Sequence, residues 1–64
     1  MKGVVKWFND RKGFGFITAG ETDVFVHYSV IDMDGHRTLK EGDRVLVETE
    51  VRDRGTYATR VVRE

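Results

Sequence analysis

Two short stretches in which aromatic and aliphatic residues alternate constrain the fold of this chain more than any other feature. They span residues 12–17 (KGFGFI) and 24–28 (VFVHY). On a β-strand, side chains two positions apart point to the same face of the sheet. One face therefore carries the ring side chains, which are Phe14, Phe16, Phe25 and His27. The opposite face carries the aliphatic side chains, which are Ile17, Val24 and Val26.

This surface of rings has two interpretations. Aromatic residues favour strands in general, so both stretches are open to interpretation as ordinary core strands. A domain of 64 residues, however, does not bury both faces of its sheet, and the aliphatic residues already fill one of them. The pattern therefore favours an exposed platform on which the bases of a single-stranded nucleic acid stack. Gly13 and Gly15 carry no side chain, and we expect them to let a flat partner approach the backbone between the rings.

Length and composition exclude several classes of protein. The 64 residues predict one small domain, spanning residues 1–64. There is no cysteine, which excludes disulfides and thiolate metal sites. His27 and His36 have no third ligand at a known spacing, so we expect neither a metal nor another cofactor. No apolar run approaches the ~18 residues of a membrane span, and no signal peptide opens the chain. We therefore expect a cytoplasmic protein without a membrane partner, and a monomer by default. Because the chain begins with Met, we also expect it to be the complete protein.

Charge is unevenly distributed along the chain, although the net charge is zero. Residues 1–20 have a balance of plus three, residues 21–50 of minus five and residues 51–64 of plus two. Positive charge therefore accompanies the first ring-bearing strand and the C-terminal end. We expect it to attract phosphate to one side of the domain, while the acidic middle repels phosphate from the other. The alternative is that these are ordinary solvated surface charges.

Alternating polar and apolar residues, interrupted by glycine-containing turns, predict five short strands and no long helix. The predicted strands are residues 2–9, 13–19, 23–28, 44–51 and 56–63. After the third strand, Ser29 is predicted to cap a single helical turn, with Ile31 packing inward. Leu39 is predicted to anchor the next loop in the core. A three-strand meander followed by a hairpin predicts an all-β fold, a five-stranded antiparallel OB-like barrel.

Strict alternation does not place every residue of these strands. In the first strand it directs Val5 to the core and Lys6 outward, but it does not place both Trp7 and Phe8. A bulge near Trp7 would bring both rings to the edge of the platform, and the alternative is that Trp7 belongs to the core. In the fourth strand alternation groups Val45, Val47, Thr49 and Val51 on one face. In the fifth it groups Tyr57, Thr59 and Val61.

Four segments resemble, in order and spacing, the bacterial cold-shock protein family. They are KWFN (6–9), KGFGFI (12–17), DVFVHYS (23–29) and DGHRTLKEGDRV (34–45), and the second and third resemble its RNP1 and RNP2 motifs. The resemblance implies an OB-like barrel that binds single-stranded RNA and DNA. By position, the binding residues it implies are Lys6, Trp7, Lys12, Phe14, Phe16, Phe25, His27 and Tyr28. His36 is a further candidate, with Phe8 and Asp23 as secondary members.

The chain departs from the pattern of this family at several positions. Tyr28 stands where Phe is common, and its ring stacks equally well. His36 stands where the family usually has a loop Phe, and an imidazole offers less apolar area for stacking. Val47 and Thr49 replace bulkier apolar residues, which predicts a less stable core. Tyr57 has two open interpretations: it adds a ring at the rim of the platform, or it only covers the barrel.

The function implied is that of an RNA chaperone, which keeps strands unpaired by stacking their bases and influences transcription or translation in the cold. An alternative is an SH3-like interaction barrel whose aromatic face binds a peptide. Lys6 and Lys12 beside the rings favour nucleic acid over a peptide. A small nuclease with His27 as general base is a further alternative. No nucleophile or carboxylate cluster surrounds His27 in the sequence, so we do not expect an enzyme.

Overall fold

The computed structural model describes residues 1–64 and contains five strands and one 3₁₀ turn. The strands are β1 (Lys2–Asn9), β2 (Phe14–Ala19), β3 (Thr22–His27), β4 (Arg44–Arg52) and β5 (Gly55–Arg63), and the turn is Tyr28–Val30. Each strand lies within one residue of its predicted bounds. The strands form a closed barrel in the order β1-β2-β3-β5-β4, which confirms the predicted all-β barrel. Every pairing is antiparallel except a short parallel contact between β3 and β5, which the hairpin pattern did not reveal.

The core consists of eleven buried hydrophobic residues contributed by all five strands and the connecting loop. They are Val5, Ile17, Ala19, Val24, Val26, Ile31, Leu39, Val45, Val47, Ala58 and Val61. Ile17, Val24 and Val26 point inward together because β2 and β3 pair without interruption, from Phe14 opposite His27 to Ala19 opposite Thr22. Ile31 and Leu39 are buried as predicted. No buried side-chain polar atom lacks a hydrogen-bond partner.

A bulge in β1 sets the position of Trp7. The pairing of β1 with β2 shifts register between Val5 and Trp7, which confirms the predicted bulge. Val5 is buried, whereas Lys6 and Trp7 both lie at the surface, with Trp7 39% exposed. The alternative in which Trp7 belongs to the core is therefore wrong. Phe8 packs against the core cluster, so it does not join the surface rings as the bulge prediction expected.

A second bulge, between β4 and β5, overturns the strict alternation predicted for the hairpin. Glu48 pairs with Arg60 and Thr49 with Ala58, so Thr59 is the extra residue. Its hydroxyl donates to the carbonyl of Glu48 at 3.1 Å. The extra residue changes which side chains of β5 face inward. Ala58 and Val61 are both buried, so Tyr57 does not lie on the same face as Val61, contrary to the prediction from strict alternation. Val51, predicted to lie beside Val45 and Val47, is 80% exposed near the tip of the hairpin.

The helical turn begins two residues earlier than predicted. His27, not Ser29, is its N-cap, since the Nδ1 of His27 accepts from the backbone N–H of Ser29 at 3.3 Å. His27 has an extended backbone (φ −111°, ψ 146°), which is the conformation that a capping residue requires. The hydroxyl of Ser29 also lies 2.9 Å from the same ring nitrogen. The cap therefore fixes the orientation of a ring that the sequence places on the binding face.

Candidate nucleic-acid interface

Four rings form a continuous aromatic row across the outer face of the barrel, namely Trp7, Phe16, Phe25 and Tyr57. The order follows from strand pairing, because Trp7 is opposite Phe16, Phe16 is opposite Phe25, and Phe25 is opposite Tyr57. The ring centroids of successive members are 5.7, 5.7 and 5.5 Å apart. Such cross-strand aromatic pairs stabilise a sheet and hold one another in place.

A second line of rings lies beside the aromatic row. Phe14 contacts both Trp7 and Phe25, with centroid distances of 5.9 and 5.8 Å, and is nearly parallel to Phe25. Phe14 pairs with His27 across β2 and β3. The ring of Tyr28 continues the line at 4.6 Å from that of His27. The six predicted ring positions from Trp7 to Tyr28 therefore lie on one surface.

These rings offer accessible faces rather than core contacts. Trp7 and Tyr28 are 39% and 47% exposed, His27 is exposed, and the three phenylalanines are half-buried. The rings support one another at their edges while part of each remains accessible to solvent. A half-buried aromatic row of this size on a strongly charged domain is the type of patch that marks a binding surface.

The two glycines between the rings do not leave the backbone open, as the sequence interpretation expected. Gly13 and Gly15 are both buried. A Cβ on Gly15 would lie 2.6 Å from the Cα of Phe8, and a Cβ on Gly13 would lie 2.7 Å from the ring of Tyr28. Gly13 also has a φ of 77°, which is costly for other residues. The glycines therefore allow β1 and Tyr28 to pack closely, and the surface at this point presents rings rather than open backbone.

Positive charge borders the rings on two sides. Lys6 lies on β1 next to Trp7, and its ammonium is 3.2 Å from the carboxylate of Asp23. Both side chains of this pair are about half exposed, so solvent screens the attraction and Lys6 remains accessible to a phosphate. Lys12 precedes Phe14, is exposed and forms no salt bridge. Both predicted cations are therefore placed beside the rings.

His36 lies in a groove at the far end of the second line of rings. The groove measures about 370 Å³ and is lined by Lys12, Tyr28, His36 and Arg37 among others. The Nε2 of His36 is 2.7 Å from a carboxylate oxygen of Asp10. This hydrogen bond, with a second one from Thr38, lowers the pKa of Asp10. The structure thus brings His36 near Tyr28 and Lys12, with one ring nitrogen occupied by Asp10.

Two residues of this surface were not among the predicted binding residues. Tyr57 completes the aromatic row, which favours the first of its two interpretations. The guanidinium of Arg52 lies over the ring of Tyr57, 4.8 Å from its centroid, and forms an ion pair with Glu50. Tyr57 was recognisable as a candidate from its aromatic ring, but no local pattern links Arg52 to it. The pairing of β5 with β3 brings Tyr57 into the site, and the pairing of β4 with β5 brings Arg52 beside it.

Other charged groups lie outside this surface. The guanidinium of Arg60 forms ion pairs with Asp32 (2.6 Å) and Glu48 (3.6 Å). The hydrogen bonds that the guanidinium of Arg60 donates to the carboxylate of Asp32 raise the pKa of Arg60 above its usual value. No group of three His, Cys, Asp or Glu side chains is arranged to hold a metal ion. The chain contains no helix that is long and apolar enough to cross a membrane.

Comparison with known proteins agrees with this geometry. Residues 1–64 match the family model described as the "Cold-shock" DNA-binding domain. The cold shock-like protein CspD of Haemophilus influenzae is 53% identical over 62 residues, which cover 94% of this chain and 86% of that protein. Cold shock protein 2 of Lactiplantibacillus plantarum is 58% identical, over 92% of this chain and 91% of its own. The major cold shock protein CspA of Bacillus cereus is 53% identical, over 98% and 96%. The predicted resemblance is thus confirmed, and the chain belongs to the cold-shock family of nucleic-acid-binding proteins.

Proposed function

We propose that this protein binds single-stranded RNA and DNA by stacking their bases on its surface rings, and that it acts as a monomeric RNA chaperone. The observation that carries the proposal is the aromatic row with the second line of rings beside it. Together they form one continuous surface of half-exposed, mutually supported rings. Only unpaired bases present the flat faces that such a surface binds.

Stacking supplies most of the affinity in this proposal. Each base stacked on an aromatic side chain contributes about 1–3 kcal/mol, with little dependence on sequence. Lys6 and Lys12 lie where they are able to contact phosphates, but few other free cations border the rings. We therefore expect a shallow salt dependence, with a slope of roughly −0.7 for each phosphate neutralised.

Selective binding of unpaired bases also explains how the protein would keep nucleic-acid strands apart without an energy source. A protein that binds the unpaired state and not the duplex shifts the equilibrium toward the unpaired state by mass action. The shift grows with the concentration of free protein relative to the dissociation constant. Strand opening is thus a consequence of selective binding and requires no catalytic group.

The decisive experiment is titration of the protein with a short oligothymidine and with duplex DNA of the same length, followed by Trp7 fluorescence. We expect strong quenching by the single strand and little by the duplex, because Trp7 is 39% exposed within the row. Equal responses to both, or no response to either, would contradict the proposal. A molecular beacon whose fluorescence rises when its stem opens then tests chaperone activity directly.

A matched pair of variants separates stacking from general damage. Phe14→Ala removes a ring from the second line, and we expect an affinity roughly 5- to 150-fold weaker, which corresponds to one lost stacking contact. Leu46→Ala removes an exposed apolar side chain outside the rings and is expected to bind normally. Both are read from a fluorescent label on the oligonucleotide, so that changes in Trp7 itself do not interfere.

A further inference from the structure

A slot opens at the β5 end of the aromatic row. It measures about 210 Å³ and is lined by Phe16, Phe25 and Tyr57, with Asp23 and Arg54 at its rim. Pockets for drug-sized ligands begin at about 300 Å³, so this slot suits a smaller flat group such as a single nucleobase. Its walls are the rings that end the row.

Tyr57 is held in position from both sides. The ring of Phe25 meets it nearly edge-on, at 63° and 5.5 Å. The guanidinium of Arg52 covers it on another side at 4.8 Å, and Glu50 binds that guanidinium in turn. Since Glu50 is the direct neighbour of Tyr57 in the pairing of β4 with β5, the three side chains form one local unit. A wall fixed in this way loses little conformational entropy when a base stacks on it.

Arg54 supplies a charge at the mouth of the slot. It lies in the turn between β4 and β5, is exposed, and takes part in none of the salt bridges of the structure. The carboxylate of Asp23, the other charged group at the rim, is already paired with Lys6. A free guanidinium beside an aromatic slot is suited to the phosphate of a nucleotide whose base enters the slot.

We propose that this slot is an additional base-binding subsite, with Tyr57 as its wall, Arg52 as a positioning residue for Tyr57, and Arg54 as the phosphate contact. The inference rests on the proposed function, which it extends by one nucleotide at the end of the row. An oligonucleotide that already covers Trp7, Phe16 and Phe25 therefore gains affinity when one more nucleotide reaches the slot.

The test is affinity as a function of oligonucleotide length. End-labelled oligothymidines of increasing length are titrated against the wild type, Tyr57→Ala and Tyr57→Phe. We expect the affinity of Tyr57→Ala to level off one nucleotide earlier and to end about fivefold or more below wild type, as one lost stacking contact implies. Tyr57→Phe keeps the ring and is expected to follow the wild type. Curves for Tyr57→Ala that match the wild type, or that are weaker by the same factor at every length, overturn the subsite.

Occupation of the slot is measured directly in the double variant Trp7→Phe, Tyr57→Trp. Its single tryptophan then lies in the slot, and we expect quenching only by oligonucleotides long enough to reach it. Binding reported by the label without any quenching overturns the proposal. The role of Arg52 is tested by a double-mutant cycle with Tyr57. Arg52→Ala is expected to weaken the binding of long oligonucleotides but not of short ones, and Arg52→Lys is expected to keep part of the lost affinity. In a protein that already carries Tyr57→Ala, adding Arg52→Ala is expected to change the affinity no further.

These outcomes distinguish the subsite from the proposed function. If the wild type binds no single strand at any length, the proposed function fails and the subsite with it. If the wild type binds and Phe14→Ala weakens it, while Tyr57→Ala changes nothing, only the subsite is refuted.

Discussion

Replacing Gly15 with alanine is expected to remove most of the stability of the protein, because the main chain of β1 occupies the space that a side chain would need. A Cβ at this position would lie 2.6 Å from the Cα of Phe8 and 3.0 Å from its Cδ1. Gly15 and Phe8 are direct neighbours in the pairing of β1 with β2. The clash is therefore relieved only if these two strands move apart.

The size of the effect follows from what is able to move. Overpacking typically costs about 1–3 kcal/mol when neighbouring side chains adjust. Here the obstacle is the main chain of the paired strand β1, so we expect a cost at the upper end of this range, about 3 kcal/mol or more. A domain of this length is stable by only ~3–5 kcal/mol. The variant therefore keeps little of its free energy of unfolding, and it loses the platform because β1 carries Trp7.

Urea unfolding followed by far-UV circular dichroism measures this cost. The control is Gly20→Ala, at a turn where φ is 64° and nothing lies within 4 Å of an added Cβ. Its cost is limited to the left-handed backbone, about 1–2 kcal/mol. A Gly15→Ala variant that unfolds with an unchanged m-value, and at the same urea concentration as Gly20→Ala or a higher one, would refute the reasoning.

The core, the surface pair of Asp10 with His36, and the unpaired Lys12 each lead to a further measurable expectation. Ile17 is fully buried, so Ile17→Val is expected to cost about 0.5–1.5 kcal/mol in urea unfolding and Ile17→Ala about 2–5 kcal/mol; equal costs would contradict the close packing described. His36 lowers the pKa of Asp10 below its ordinary value of 3.8, so this pair stabilises the fold above that pH and the contribution is lost as the pH falls through the lowered value. Asp10→Asn is therefore expected to show a weaker loss of stability on acidification than the wild type, and identical acid unfolding curves would exclude the pair. Lys12→Ala is expected to reduce the salt slope of oligonucleotide binding by about 0.7, as the loss of one phosphate contact implies. Lys2→Ala, at the first residue of β1, is the control, and a slope unchanged by Lys12→Ala would remove Lys12 from the interface.

The regular parts of the fold were predictable from the sequence because they obey a simple period. In β2, Phe14 and Phe16 alternate with glycine and isoleucine, and in β3, Phe25 and His27 alternate with valines. Strict pairing of these strands turns that pattern directly into a core and a surface of rings. The positions of Phe14, Phe16, Phe25 and His27 therefore needed no knowledge of the rest of the chain.

The remaining parts depend on interactions that local sequence does not encode. The extra residue in β5, Thr59, changes the face of everything after it, and nothing in its neighbourhood marks it as a bulge. Tyr57 reaches the aromatic row only through the parallel contact between β3 and β5, which joins residues about thirty positions apart. Gly15 was misread because its neighbour across the sheet, Phe8, becomes known only once the register of β1 is known.

The short parallel contact between β3 and β5 has a consequence for motion in the barrel. Only Val24 with Thr56 and Phe25 with Tyr57 are in register there, so this seam has fewer paired residues than any other junction of the sheet. Segments with few paired backbone groups open locally at lower free energy than the rest of a domain. A strand bound across Phe25 and Tyr57 would bridge the seam from outside and slow its opening. In the free protein we therefore expect backbone amides at the seam to exchange faster than those in the meander of β1, β2 and β3. Bound nucleic acid is expected to reduce the difference between the two exchange rates.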